Sequence, residues 1–317
     1  MALIFELTAA ERASRSVLGA PAPAKINRFL HVVGRRADGY HLLESVFQLI
    51  DLTDRIDVRV RDDGEVIRPH PIEGVPAEQD LTVRAARLLQ QATGCRLGVE
   101  INLTKVIPMG GGLGGGSSNA ATLMILLNAL WELRLPPAEL ARLALSLGAD
   151  VPFFLFGGSA LARGVGEALE PIELPPDWFV LIAPPVAVPT AGVFGAPELT
   201  RNTPPLTISG FQDGRPGSFE AWNSLLGQDL HNDLQPVVQR RFSQVDLAIS
   251  QLAQAARNAG LSPEQVRMSG SGACIFLPVP DQALAQRVAS DAVLREVGTV
   301  RVCRSLSRHP LGSRQVG

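Results

Sequence analysis

The stretch PMGGGLGGGSSNAA, residues 108–121, places six glycines within seven positions and then continues as an apolar run. Glycine costs conformational entropy wherever it is fixed, so such a cluster indicates a site that side chains would obstruct. Bare backbone N–H groups that lead into a helix N-terminus favour a bound anion. Ser117 and Ser118 add hydroxyls suited to a phosphate oxygen or Mg²⁺. We predict a phosphate-binding loop; the alternative, a flexible linker or tight turn, is disfavoured by the apolar helix directly after it.

Two well-known phosphate-binding patterns match this loop only in part. Gly110, Gly112 and Gly115 satisfy GxGxxG, but the dinucleotide fingerprint also needs a following parallel strand with an acidic residue. The next predicted element is instead a helix that Pro136 and Pro137 open. The Walker A pattern GxxxxGK[ST] requires lysine where Gly116 stands. The loop is therefore predicted to share the physics of these motifs without belonging to either.

Composition limits the class of protein. A chain of 317 residues predicts two domains, and a net charge of −2 gives no reason to expect a nucleic-acid or anionic membrane partner. The cysteines, Cys95, Cys274 and Cys303, show no disulfide or zinc spacing. No secretory signal or sufficiently long uncharged apolar stretch occurs. We expect a cytoplasmic protein.

Periodicity predicts an α+β chain, because strands and helices follow one another without strict alternation. The segment PAPAKINRFLHVVG alternates as a strand, with Lys25 and Asn27 on one face. The further predicted strands are SVFQLIDL, RIDVRVR, RLGVEINLTKVI, WFVLIAPP and CIFLPVP. The predicted helices cover a segment at the N-terminus, 80–91, 117–131, 136–147 with Gly148 as its cap, 236–259 and 281–296, and the segment 202–219 reads as a flexible insertion.

Three separated segments resemble the motifs of the GHMP kinase superfamily, in the same order and spacing. They are PAPAKIN (21–27), the glycine loop and RMSGSGACIF (267–276). Within the superfamily, RRADGYH, LGADVPFF and GVGE resemble the branch that acts on a cytidine diphosphate-linked methylerythritol. The resemblance extends from about residue 20 to about residue 305. Arg28 departs from it, because an apolar residue is usual at that position.

The resemblance implies a two-domain GHMP kinase fold: an N-terminal domain like the second domain of ribosomal protein S5, and a ferredoxin-like C-terminal domain. We divide the chain into 1–165, the ATP-binding domain, and 166–317. The implied activity is ATP-dependent phosphorylation of the 2-hydroxyl of the methylerythritol unit, in the non-mevalonate isoprenoid precursor pathway. The co-substrate would be ATP with Mg²⁺, with no tightly bound cofactor and no protein metal cage. The implied partners are small molecules only, with a monomer or weak homodimer.

Two residues would carry the chemistry that the resemblance implies. Asp150, directly before the apolar VPFFLF, would accept the hydroxyl proton as phosphoryl transfer proceeds. Lys25 would pair with it and stabilise negative charge on the reacting oxygens. The alternatives are an ordinary turn aspartate and a solvated lysine at a strand end.

The resemblance also assigns binding residues. ATP would contact Lys105, Pro108, Met109, Gly110, Gly111, Gly112, Leu113, Gly114, Gly115, Gly116, Ser117 and Ser118. The substrate would contact Asn27, Tyr40, His41, Thr190 and Phe194. Tyr40 and Phe194 would flank the pyrimidine ring and His41 would read its polar edge. For Tyr40 the alternative is a buried hairpin aromatic. RMSGSGACIF would close over the phosphate region, or form a simple tight turn.

Two other functions compete with this interpretation. Another GHMP kinase, specific for homoserine or mevalonate, is disfavoured by RRADGYH and by the position of Asp150 before VPFF. A nucleotide-binding regulator without catalysis would be expected to lack the base, yet both Lys25 and Asp150 are present. ATP consumption that depends on an added polyol would separate an enzyme from a regulator.

Overall fold

A computed structural model describes residues 5–206 and 230–313, so most of the predicted insertion 202–219 lies outside the described residues. A short helix, α1 (Ala9–Ser14), begins with a capping box between Thr8 and Glu11. A long antiparallel pair follows, made of β1 (Ser16–Arg35) and β2 (His41–Arg61). This pair forms the central part of the sheet.

The prediction of two separate strands within β2 is wrong. The polar residues between SVFQLIDL and RIDVRVR do not form a turn, because Asp54 is buried and its carboxylate accepts hydrogen bonds from neighbouring backbone. One oxygen accepts the backbone N–H groups of Val106 and Ile107, at 2.7 and 2.9 Å. The strand therefore continues through the polar segment.

The first part of the chain places helices against this sheet. Its further elements are β3 (Val66–Ile67), α2 (Leu81–Thr93), β4 (Gly98–Thr104), α3 (Gly115–Leu130), α4 (Pro137–Leu145), α5 (Val151–Phe156), β5 (Ala160–Arg163) and β6 (Ala168–Pro171). Helix α3 is apolar on nearly every side, as predicted, and packs against α2, α5 and β1 in the main core. Its N-terminus is thereby fixed directly after the glycine loop.

Helix α4 ends earlier than predicted. Ser146, in a right-handed conformation, is its C-terminal cap, so the prediction that Gly148 caps the helix is wrong. The carbonyl of Gly148 instead accepts the backbone N–H of Val151, the first residue of α5. Asp150, which with Ala149 lies between these two residues, is therefore held in the tight connection between two helices.

The second part of the chain contains β7 (Trp178–Ala183), α6 (Thr190–Phe194), α7 (Gln235–Arg241), α8 (Ser243–Asn258), β8 (Arg267–Met268), β9 (Ile275–Val279), α9 (Gln282–Ala289), α10 (Ala292–Val297) and β10 (Thr299–Leu306). Short 3₁₀ turns lie at Pro263–Gln265 and Pro310–Ser313. The prediction of single helices over 236–259 and 281–296 is wrong. Phe242 is extended and interrupts the first, and Asp291 starts a new helix within the second by accepting the N–H of Val293.

Strand β10 connects the two parts of the sheet. It pairs with β7 over Thr299–Arg304, and Ser305 and Leu306 then pair with Ile50 and Leu49 of β2. In the described part of the chain, ten strands thus form one continuous sheet, and the predicted α+β class is confirmed. The boundary predicted between residues 165 and 166 falls in the turn of the β5–β6 hairpin and remains a prediction. No helix within the described ranges is long and apolar enough to cross a membrane.

Arg28 is a residue of β1 whose side chain is buried against Phe179 of β7. Its guanidinium forms an ion pair with the buried Asp177, donates to Gln48 at 2.9 Å and lies over the ring of Phe179. Burial lowers the pKa of Arg28 and raises that of Asp177, so desolvation outweighs the attraction between them for both groups. The charge that departs from the GHMP pattern is therefore matched by a carboxylate across the sheet.

Candidate active site

A cavity of about 1060 Å³ lies where the glycine loop meets β1, α5 and α6. Almost all of the predicted site residues line this cavity: Lys25, Asn27, Tyr40, His41, Lys105, residues 108–117, Asp150, Thr190 and Phe194. The exception is Ser118. Residues that are far apart in the sequence are thus brought to one cavity wall.

The backbone of the glycine loop alternates in handedness. Gly110, Gly112 and Gly114 have positive φ angles of 65°, 73° and 70°, whereas the residues between them do not. Alternation of this kind turns successive N–H groups towards one side and forms an anion-binding concavity. Only glycine adopts these left-handed positions without strain, which explains why the sequence concentrates glycine here.

The segment Ser269–Cys274 holds the outer side of the glycine loop, so it is more than a simple tight turn. Backbone N–H groups of Ala273 and Cys274 donate to the carbonyls of Gly110 and Gly111, at 3.2 and 3.1 Å. The Ser269 hydroxyl donates to the carbonyl of Gly112 at 3.0 Å. The loop's carbonyls are thus engaged on the protein side.

The N–H groups of the same loop remain available. Within residues 5–206 and 230–313, no N–H of residues 110–117 donates a hydrogen bond. Helix α3 begins at Gly115, and Gly114 provides no side-chain cap. A row of free donors at the positive end of a 16-residue helix favours a phosphate group.

Ser117 lines the cavity, but Ser118 does not. Helix α3 begins at Gly115, two residues before the predicted start, and in this helix the side chain of Ser118 points towards the core. Ser118 is fully buried, and its hydroxyl has no hydrogen-bond partner among the described residues. Asn119, which sequence reasoning missed, lies on the cavity wall. Its side-chain oxygen is buried and likewise has no partner in the described part of the chain.

Lys25 and Asp150 face each other. The Lys25 ammonium lies 3.6 Å from Oδ2 of Asp150 and 5.1 Å from the centre of the Phe47 ring. Lys25 is only 3% exposed and lies in the middle of β1, so it is not a solvated residue at a strand end. The Asp150 side chain is 36% exposed and does not cap α5, so its carboxylate is accessible from the cavity.

Asn27 orients the lysine. Its side-chain oxygen accepts a hydrogen bond from the Lys25 ammonium, and its amide nitrogen donates to Ser45 at 2.8 Å. Asn27 is buried, so both ends of its amide are engaged within the protein. These contacts hold Lys25 in one position opposite Asp150.

Lys105 places a second ammonium beside the start of α3. It forms an ion pair with the buried Asp54, and its Nζ would lie 3.3 Å from a Cβ added at Gly115. A fixed positive charge at this point adds to the anion preference of the free N–H groups.

The opposite end of the cavity is aromatic. Tyr40 is 65% exposed on the cavity wall, which excludes the buried hairpin alternative. The ring of His41 lies 5.1 Å from that of Phe194, centre to centre. The hydroxyls of Thr190 and Ser271 share a hydrogen bond at 2.7 Å, which connects α6 to the segment that holds the glycine loop.

Sequence reasoning missed a further apolar part of the cavity. Its walls are Ile72, Val75, Leu81 and Leu103, with Gln79 and Asp80 at the same edge. The only signal was Asp80, which caps α2 by accepting the N–H of Thr82 at 2.7 Å. The segment before it has no periodicity that marks a binding wall.

Two family models match parts of the chain. The GHMP kinases N terminal domain matches residues 80–158, and the GHMP kinases C terminal domain matches residues 207–295. A 4-diphosphocytidyl-2-C-methyl-D-erythritol kinase of Thiobacillus denitrificans is 50% identical over 291 residues, covering 92% of this chain and 96% of that protein. The sequence similarity to this kinase therefore extends over most of the chain.

Solved structures extend the comparison. A crystal structure of 4-(cytidine 5'-diphospho)-2C-methyl-D-erythritol kinase superimposes with a TM-score of 0.70 at 36% identity, covering 92% of this chain and 98% of that one. A homoserine kinase from Cytophaga hutchinsonii has a TM-score of 0.63 at 20% identity, covering 93% of this chain and 96% of that one, which shows a shared fold alone. The chain therefore belongs to the GHMP kinases, and within them to the family of 4-diphosphocytidyl-2-C-methyl-D-erythritol kinases.

Proposed function

We propose that this chain transfers the γ-phosphoryl group of ATP to the 2-hydroxyl of 4-diphosphocytidyl-2-C-methyl-D-erythritol, in the non-mevalonate isoprenoid precursor pathway. One observation carries the proposal: a single cavity combines free backbone donors, the Lys25–Asp150 pair and an aromatic end. Its volume of about 1060 Å³ lies at the upper limit of about 300–1,000 Å³ for small-molecule sites, which is appropriate for two substrates.

ATP binds along the glycine loop. Its phosphates contact the free N–H groups of residues 110–117 and the Lys105 ammonium, and the positive end of the α3 dipole stabilises their charge. The adenine base takes the apolar end between Ile72 and Leu103, because a flat aromatic ring is most stable where it loses contact with water.

Asp150 and Lys25 act on the reacting hydroxyl. As the substrate oxygen bonds to the γ-phosphorus and the bond to the departing ADP oxygen breaks, Asp150 accepts the hydroxyl proton. Lys25, held by Asn27, stabilises negative charge on the oxygens around phosphorus. The carboxylate is exposed on the cavity side, where a hydroxyl can approach it.

The residues present fit a magnesium ion that the nucleotide carries. Oxygen donors lie on the cavity wall at Ser117, Asn119 and Asp150, and the Asn119 oxygen has no protein partner among the described residues. In that part of the chain, no group of three or more His, Cys, Asp or Glu residues could hold a metal alone. Bound there, Mg²⁺ would neutralise phosphate charge and keep several of its waters.

The cytosine base is held at the aromatic end. Tyr40 stacks on one face, Phe194 lies near the other and His41 contacts the polar edge, while Thr190 and Asn27 border the sugar alcohol. With the base held at this end, the methylerythritol unit would extend from the base towards the Lys25–Asp150 pair.

Replacing Tyr40 with Ala will lower kcat/KM for the cytidine substrate by roughly ten- to a hundredfold, since base–aromatic stacking contributes about 1–3 kcal/mol. Steady-state kinetics at saturating ATP measure this effect. Tyr40→Phe is the matched control, because it keeps the ring and is expected to stay within a fewfold of wild type. Full activity of Tyr40→Ala would place the base elsewhere.

Residues of one chain line the cavity in the described part of the protein, and we propose a monomer or weak homodimer. The cysteines are free thiols, in agreement with a cytoplasmic location.

ATP consumption assayed with and without candidate alcohols tests the enzymatic function: consumption that depends on the cytidine-linked alcohol supports it. Consumption that depends on homoserine or mevalonate supports another GHMP kinase, and no consumption with any of these alcohols supports the regulator without catalysis.

A further inference from the structure

Arg201 is fixed against the aromatic end of the cavity. Its guanidinium donates to three backbone carbonyls at the end of α6 and in the segment after it: Phe194 at 3.1 Å, Ala196 at 2.6 Å and Leu199 at 3.0 Å. Its remaining contact is from Nε to Nε2 of His41, at 3.1 Å. The guanidinium is thus held in one orientation and presents an N–H to the histidine ring.

This contact determines where the histidine carries its proton. A guanidinium has no acceptor and stays protonated, so Nε2 of His41 must accept the bond. A neutral imidazole that accepts at one nitrogen carries its hydrogen at the other. His41 is therefore an Nδ1–H tautomer in this arrangement.

The protonated nitrogen remains available to a ligand. His41 lines the cavity with its ring against Phe194, and Nδ1 makes no hydrogen bond to any residue of the described ranges. A donor at this position pairs with an acceptor on the ligand, and cytosine offers ring N3 and exocyclic O2 as acceptors.

We propose that Arg201 is a positioning residue that holds His41 as the neutral Nδ1–H tautomer and so makes the base end of the cavity a hydrogen-bond donor. This inference rests on the proposed function for the identity of the base. It assigns to a residue 160 positions away from His41 in the sequence a role in substrate recognition.

The surrounding charges favour the neutral ring. Burial, then Arg201 and then Arg35 lower the pKa of His41, so the imidazolium form is disfavoured. The nearby carboxylate of Asp38 is paired with Arg36, and that of Glu198 is paired with Arg241. A protonated, positively charged His41 ring would lie next to the guanidinium groups of Arg201 and Arg35.

Arg201 also holds the end of α6 through its carbonyl contacts, so the test must separate this structural role from its action on His41. Nitrogen-15 NMR of the full chain reads the His41 tautomer directly, with His41→Phe assigning the resonance. We expect hydrogen on Nδ1 in wild type, its partial transfer to Nε2 in Arg201→Met, and retention on Nδ1 in Arg35→Gln. The last variant removes a neighbouring charge without removing the bond.

Kinetics supply the second readout. Arg201→Met should raise KM for the cytidine substrate about tenfold, the effect of one lost hydrogen bond, with little change in kcat or in KM for ATP. Arg201→Lys, which keeps a cationic donor, should recover part of the loss. In a His41→Phe background, Arg201→Met should raise KM much less than in wild type, because its action on the base requires the ring nitrogen.

The results distinguish the possible outcomes. Hydrogen on Nε2 in wild type, an unchanged tautomer in Arg201→Met, or fully additive effects with His41→Phe would overturn the positioning role. If Arg201→Met does not fold, the wild-type tautomer and Arg201→Lys still decide the matter. Failure of the proposed function would appear instead as no phosphorylation of the cytidine substrate by wild type, while the NMR result would stand by itself.

Discussion

Replacing Asp150 with Asn will lower kcat by roughly 10²-fold or more, the usual contribution of a general base, and will leave nucleotide binding intact. The amide keeps the size of the side chain but cannot accept the hydroxyl proton. Asp150 is 36% exposed, its Oδ2 lies 3.6 Å from the Lys25 ammonium, and it does not cap α5. The substitution therefore removes the proton acceptor and changes few contacts that stabilise the fold.

Single-turnover kinetics with saturating cytidine substrate and ATP measure this effect, together with a direct binding measurement for ATP. Asp62→Asn is the matched control, because Asp62 is an exposed aspartate that pairs with Arg15 outside the cavity. A near-wild-type kcat in Asp150→Asn would show that this carboxylate is structural.

Replacing Gly114 with Val will raise KM for ATP and also lower kcat, together by roughly 10²-fold in kcat/KM. Its φ of +70° strains any branched side chain. A Cβ there would lie 2.9 Å from the ring of Phe154 and 3.3 Å from Cε of Lys25. Gly114 lies in the proposed ATP-binding loop, so ATP affinity should fall, and displacement of Lys25, the proposed catalytic lysine, should lower kcat as well.

Gly116→Ala provides the comparison for this substitution. Gly116 has an ordinary helical φ, and the nearest atom to its added Cβ is Leu81 Cδ1 at 3.5 Å. We expect a much smaller change in KM for ATP than in Gly114→Val, with both variants checked for folding by thermal denaturation. Unchanged ATP affinity and kcat in a folded Gly114→Val would place the nucleotide outside the glycine loop.

Local sequence signals predicted the parts of the site that depend on backbone chemistry. The glycine loop was predicted to offer unobstructed backbone N–H groups, and the positive φ angles of Gly110, Gly112 and Gly114 are the conformation that does so. The pairing of Lys25 with Asp150 was implied by the resemblance to the GHMP kinases, and the structure places the two side chains 3.6 Å apart. Their catalytic roles remain proposals that the substitutions above test.

The errors arose where distant contacts override local pattern. The continuity of β2 depends on Asp54, whose carboxylate is satisfied by backbone about 50 residues away. The inward direction of Ser118 depends on where α3 begins. The helix begins at Gly115, two residues before the predicted start, with Gly114 in a left-handed conformation as its N-cap. The contact between Arg201 and His41 joins segments 160 residues apart, and nothing in either segment alone predicts it.

The central claim is that the cytidine group positions the reacting hydroxyl. The most direct measurement compares 4-diphosphocytidyl-2-C-methyl-D-erythritol with free methylerythritol phosphate, at matched concentrations, as phosphoryl acceptors. Binding energy from a remote group contributes to orientation, so the cytidine-free alcohol should lose kcat as well as affinity. We predict a kcat/KM for it that is lower by at least roughly a hundredfold. Equal phosphorylation of the two alcohols would contradict the account.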